Sequence, residues 1–101
     1  MAQASPTVDL SLPTPSTDDL RGDLVQPGHP LFGLVWVNPQ RMSGTPCFTG
    51  TRVPVKSLFD HLEAGDTLDT ILDDFPGVMR QQAIMLLELS RTRILEDFLG
   101  K

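Results

Sequence analysis

The sequence predicts a mainly α protein: three helices forming a helix-turn-helix bundle, preceded by a short β-hairpin or strand element and a disordered N-terminal arm. Three observations carry that prediction. The first third, Met1 to Gly33, holds five of the nine prolines among scattered Ser, Thr and Asp. Between Ser43 and Val55, glycines and prolines punctuate two short β-prone runs. Beyond Pro54 the apolar spacing changes from two to nearly four.

A chain of 101 residues allows one domain. The composition of the first third buries too little apolar surface to offset the entropy of ordering it. The reading is therefore an arm over residues 1–30 and a folded domain over residues 31–99. The first residues lack the Lys or Arg and the following apolar run of a secretory signal, and nothing resembles a membrane span. A soluble cytoplasmic protein without a membrane partner is expected.

Leu31 to Val37 is an apolar run rich in strand formers, with the single Trp, Trp36, and it stops at the Asn38-Pro39 turn signal. Two further strands are expected at Cys47 to Thr49 and Thr51 to Val53, joined as a hairpin through Gly50, which tolerates positive φ. Pro54, lacking an amide donor, ends the ladder and opens the first helix.

That helix is expected over residues 56–64. Val55, Leu58, Phe59 and Leu62 make one apolar stripe, and Ala64-Gly65 supplies the stop. Thr67 caps the second helix, Asp69 meets the positive end of its dipole, and Leu68, Ile71, Leu72 and Phe75 repeat the stripe up to Pro76-Gly77. The third helix begins near Val78 or Met79 and runs to Leu99. Its apolar block, Ala83 to Leu87 plus Leu89, is too broad for one buried stripe, so it is either buried all round or meets another subunit. Arg93, placed before Glu96 and Asp97, predicts a solvated, weakly ion-paired helix end. A domain this small commonly gains stability by association, so a homodimer or an obligate partner is expected, with Trp36, Ile84, Met85 and Leu89 as the candidate interface.

Eight basic against 13 acidic residues give a formal net charge of −5, which denies the chain the bulk attraction of a general nucleic-acid binder and suits a basic partner. Asp60, Glu63, Asp66, Asp69, Asp73 and Asp74 read first as the solvated faces of amphipathic helices. The lone Cys47 excludes an internal disulfide and reads as a small buried side chain. His29 and His61 have no companion ligands, Ser57 before His61 is a common helical coincidence, and Gly44 and Gly50 serve turns rather than a phosphate loop. No catalytic residue, metal site or cofactor is read from the chain.

Gly50-Thr51-Arg52-Val53-Pro54-Val55, with Gly44 and Pro46 upstream and Leu62, Gly65, Ile71, Leu72, Phe75-Pro76 and Leu87 downstream, resembles the small bacterial DUF433 domains over roughly residues 37–89. The resemblance implies a homeodomain-like three-helix fold and an antitoxin-like binding role beside a PIN-like ribonuclease toxin, with possible repression of its own promoter. It also implies that the third helix is the recognition helix, and that Gly44, Pro46, Gly50, Thr51, Arg52 and Pro54 are the structural motif. Members open that helix with Ser or Thr and follow it with Glu or Asp, whereas this chain has Met79-Arg80-Gln81-Gln82, so the usual cap is expected to be lost.

Arg80, Gln81, Gln82 and Lys56 are the candidate DNA contacts, against the alternative of an exposed polar helix start. Arg52 is expected either to tie the hairpin to an Asp of the first two helices or to receive an acidic ligand. Three function classes follow: an antitoxin-like inhibitor using the acidic faces or the arm to cover a toxin's basic groove, a stand-alone DNA-binding regulator, and a dimeric assembly adaptor.

Overall fold

A computed structural model of the chain describes residues 12–99, and it has the expected fold class: three helices and a two-stranded antiparallel sheet. The first eleven residues of the expected arm lie outside the described residues.

β1 (Val35–Trp36) pairs with β2 (Cys47–Phe48), placing Val35 opposite Phe48 and Trp36 opposite Cys47. The apolar run from Leu31 thus yields two strand residues rather than seven. Its first part is folded into turns, with the Leu34 amide bonded to the Leu31 carbonyl at 2.9 Å and Gly33 at φ +86°. The expected hairpin through Gly50 survives only as a tight loop, closed by a single bridge between Cys47 and Pro54. Thr51 folds back on Phe48 there, its amide and hydroxyl both donating to the Phe48 carbonyl, at 3.0 and 2.9 Å. The physical reason lies in the partners. Val35 offers β2 a buried apolar edge, whereas Thr51 to Val53 carries an exposed Arg and ends at a proline that cannot donate.

The helices follow their expected spans within two residues: α1 (Val55–Glu63), α2 (Leu68–Asp74) and α3 (Arg80–Leu99). α1 closes with paired bonds from the Gly65 amide to Leu62 and from the Asp66 amide to His61, a Schellman ending that requires the left-handed φ of +97° at Gly65. The Thr67 hydroxyl accepts from the Thr70 amide at 3.2 Å and caps α2 as read from the sequence.

Phe48 of β2, Leu58 of α1, Ile71 of α2, Ala83 of α3 and Val78 from the turn before α3 form the buried centre, and Val55, Leu62, Leu72, Phe75, Leu86 and Leu87 pack around it. Only the first half of α3 shares in this core. From Arg91 to Asp97 every residue is exposed.

The segment before β1 departs from the expectation of an arm through residue 30. Leu20, Asp23 and Val25 are buried, and the Leu24 amide donates to the Val37 carbonyl at 2.8 Å, which adds the segment to the end of β1. Composition missed this because one polar residue, Asp23, organises it. Its carboxylate accepts from the Val25 and Val37 amides, both at 3.1 Å, and from Arg41 at 2.9 Å. Among the described residues no helix is long and apolar enough to cross a membrane.

Candidate functional site

The N-terminal end of α3 gathers three of the four candidate DNA contacts, and the fold gives each a different role. Gln82 has no exposed surface. Its Nε2 donates to the Thr49 carbonyl at 3.0 Å and to the Gly33 carbonyl at 3.3 Å, while its Oε1 accepts from the Met79 amide at 2.9 Å. This corrects two expectations. Gln82 does not face a groove of DNA, and the cap of α3 is half retained, because a Gln at the third helical position reaching back to the N-cap amide is one arm of a capping box. Met79 supplies no side-chain oxygen for the other arm.

Arg80 is exposed and pairs with Asp69 of α2. Gln81 is half-buried on the same turn. Lys56 pairs with Asp60 one turn along α1 at 2.7 Å, and that hydrogen bond, with the carboxylate's charge, raises the pKa of its ammonium. Both candidate cations are therefore matched by carboxylates of their own chain. The expected tie from Arg52 to an Asp of α1 or α2 is not made either: Arg52 is exposed and, among the described residues, forms no ion pair. Of the motif residues, Gly44 and Gly50 take positive φ, +85° and +88°; Thr51 braces the loop; Pro54 is the N-cap of α1; and Pro46 is exposed.

The buried guanidinium of the fold belongs to Arg41, which sequence reasoning passed over. It pairs with Asp23, a side chain with no exposure, and lies 3.6 Å from the centroid of the Trp36 ring. The indole nitrogen of Trp36 donates to the Thr51 carbonyl at 2.8 Å, so this candidate interface residue is engaged within its own chain. Asn38 completes the cluster, donating to the Arg21 carbonyl at 2.9 Å and accepting from the Gln40 amide at 2.8 Å. No local pattern advertises Asp23 and Arg41 as partners eighteen positions apart; the Asn38-Pro39 turn between them was the only sequence signal. Met42 and Ser43 follow at φ +53° and +56°, with Gly44 the third left-handed residue in a row.

Two surfaces remain. The first is acidic. Glu63 ends α1 and Asp73 and Asp74 end α2; all three are exposed and, among the described residues, form no ion pair. His61 draws these helix ends together, bonded to Asp66 at 2.8 Å and meeting Phe75 edge-on at 5.3 Å. The second is an apolar groove of about 680 Å³, walled on one side by Leu31, Val35, Pro46 and Val55 and on the other by α3 from Leu86 to Glu96. Leu89, in the wall formed by α3, is exposed, as is Ile84 elsewhere on α3, while Met85 is half-buried.

Residues 35–89 match the family model described as Protein of unknown function (DUF433). The match begins at β1 and ends within α3, leaving the segment organised by Asp23 upstream of it. No curated protein and no solved structure matches the chain.

Proposed function

We propose, from the premise that the chain belongs to the DUF433 family, that it is an antitoxin-like binding protein of the cytoplasm, acting without catalysis on a basic protein partner. The partner class is a ribonuclease of the PIN-like kind, whose positively charged substrate groove the acidic surface would cover. One observation carries this reading: unpaired carboxylates sit at the C-terminal ends of α1 and α2, where the helix dipole already places negative charge. Each such placement costs a free helix about 0.3 to 1 kcal/mol. A cationic partner converts that cost into attraction and faster association.

Promoter binding has less to draw on, since Arg80 and Lys56 are paired with carboxylates and Gln82 is buried. An assembly role draws on the apolar side chains that α3 exposes, and it is compatible with the first reading because the acidic ends and α3 are different surfaces.

The test is affinity purification of the tagged full-length protein from its own cells, with nuclease-treated controls and mass spectrometry. Stoichiometric recovery of a small ribonuclease-like protein, lost when Glu63, Asp73 and Asp74 are replaced by Lys, supports the proposal. Recovery of DNA alone, or of the tagged protein alone, overturns it.

A further inference from the structure

We infer that Arg52 is the one positive contact on the partner surface proposed above: it receives a carboxylate of the protein that the acidic ends of α1 and α2 attract, and so fixes how that protein is oriented. The inference rests on the reading of those helix ends as the partner surface. Its first ground is an exception in the charge pairing. Arg21, Arg41, Lys56, Arg80, Arg91 and Arg93 each hold a carboxylate of their own chain. Arg52 alone among the described Lys and Arg residues holds none, and its exposed guanidinium makes no hydrogen bond within the described residues. In a chain of net charge −5 a cation has carboxylates to choose from, and one left free keeps its whole fork of donors for a ligand.

The second ground is where this cation stands. Its neighbour Thr51 packs on Gly77, where a Cβ would lie 3.3 Å from Cγ2 of Thr51. Gly77 belongs to the turn that leaves α2 after Asp74, and Phe75 of the same turn meets His61 of α1 edge-on at 5.3 Å. The turn from Phe75 to Gly77 therefore has the end of α1 against it at one point and the Arg52 loop at another. Asp73 and Asp74, exposed and without an ion pair among the described residues, immediately precede it. Charges of both signs thus border one turn without neutralising each other.

The third ground is the backbone that carries Arg52. On one side of it Thr51 donates its amide and hydroxyl to the Phe48 carbonyl and takes the Trp36 indole on its own carbonyl at 2.8 Å. On the other side the Val53 amide donates to the Thr51 hydroxyl and the Val53 carbonyl accepts from the Phe48 amide, both at 3.0 Å. A side chain mounted on an ordered loop loses less freedom on binding than one whose loop must first be ordered.

The surroundings select the ligand. Nucleic acid brings a phosphate at every nucleotide, and one arginine beside Asp73 and Asp74 does not offset their repulsion. A basic protein is attracted by those carboxylates, and a single Asp or Glu at the rim of its basic patch meets the planar fork of Arg52 through two parallel N–H bonds. A cation in that place is repelled, so the arginine discriminates between orientations as well as adding affinity.

The experiment uses the full chain and the ribonuclease-like protein that co-purifies with it, with binding measured by isothermal titration calorimetry. Arg52→Met is expected to melt as the wild type does and to bind about tenfold more weakly. Arg52→Lys, which keeps the charge without the fork, is expected to fall between them. In the Arg52→Lys complex a carbodiimide, which joins an amine to a carboxylate in direct contact, is expected to link position 52 to an Asp or Glu of the partner protein, as read by mass spectrometry of the cross-linked peptides. Unchanged affinity in Arg52→Met, or links confined to other positions, overturns the inference and leaves the acidic-surface reading standing if Lys at Glu63, Asp73 and Asp74 still abolishes binding. A lowered melting temperature in Arg52→Met with affinity intact assigns the arginine to the fold and overturns it as well. Recovery of nucleic acid alone, or of no partner, overturns both.

Discussion

The side-chain amide of Gln82, on the first turn of α3, donates to the Thr49 carbonyl at the end of β2 at 3.0 Å, with neither residue more than 2% exposed. The same amide reaches Gly33 before β1 and takes the Met79 amide at the helix start, so one side chain fastens three segments distant in sequence. Gln82→Ala would strand the buried carbonyls of Gly33 and Thr49 and release the Met79 amide, and leaving a buried polar group unmet costs about 1 to 3 kcal/mol. The expected loss is about 3 kcal/mol, comparable to the whole stability of a core this small. Urea unfolding followed by circular dichroism measures it; a loss under about 0.5 kcal/mol would return Gln82 to the surface role read from the sequence.

Asp23 and Arg41 are the second fastening. Breaking a buried pair by removing one partner costs about 3 to 5 kcal/mol, because the remaining charge is left uncompensated. Asp23→Ala also releases two amides, of Val25 and Val37, and leaves the Arg41 guanidinium without its carboxylate. The expected result is a destabilisation of about 3 kcal/mol or more, with limited proteolysis cutting between residues 17 and 30 in the variant and not in the wild type. Equal cutting in both would show that this segment is not held by Asp23.

How far the sequence was readable follows from which forces are local. The helix spans and the Thr67 cap were legible because spacing and capping chemistry act within one or two turns. The pairing of Val35 with Phe48 in place of the Gly50 hairpin was not, since it is decided by which edge lies buried after collapse. Gln82 illustrates the limit at the candidate site: a polar residue near a helix start reads as solvent-facing until the carbonyls of Gly33 and Thr49 are brought to it. Asp23 and Arg41 were illegible for the same reason, as two ordinary charged residues whose partnership exists only in the fold.

Cys47 gives a pH dependence whose sign can be worked out. Its side chain has no exposure, and burial, opposed in part by the charges of Arg41 and Arg52, raises the thiol above its ordinary value of 9.0. The folded state therefore holds the proton more tightly than the unfolded state. The thiol's contribution to stability is fully present below the unfolded value and is lost as pH rises through the folded one. The urea midpoint is expected to fall as pH rises above the thiol's ordinary value of 9.0 in the wild type, and to fall less in Cys47→Ala, which has no thiol to titrate. A thiol reagent is expected to modify Cys47 only at the unfolding rate; immediate modification of the native protein would contradict its burial.

The left-handed turn at Met42 and Ser43 predicts a stabilising substitution. A non-glycine residue in this conformation carries roughly 1 to 2 kcal/mol of steric cost, and glycine removes it at an entropic cost of about 0.5 to 1 kcal/mol in the unfolded chain. Ser43, at φ +56°, is exposed, so no buried contact is forfeited. Ser43→Gly is therefore expected to raise stability by about 0.5 to 1 kcal/mol, and Gly44→Ala, at φ +85°, to lower it. Thermal melts of the two variants in opposite directions would support the strain; a destabilised Ser43→Gly would mean that the hydroxyl supports the turn.

Arg80 and Asp69 separate the two ways of reading the start of α3. Because the pair joins exposed residues, its rupture is expected to cost less than about 1 kcal/mol, and Arg80→Ala should fold and melt nearly as the wild type does. The informative variant is Asp69→Asn, which releases the arginine. If the carboxylate is what keeps α3 from phosphate, duplex DNA at low salt should bind Asp69→Asn better than the wild type, and the gain should fade as salt rises, since one freed cation adds about one unit to the salt slope. If neither protein binds, the helix start is an internal brace and the surface available to partners is the acidic end of α1 and α2. If the wild type already binds with a steep salt slope and Arg80→Ala abolishes it, the ion pair is a resting state that DNA displaces, and the regulator reading takes precedence over the antitoxin one.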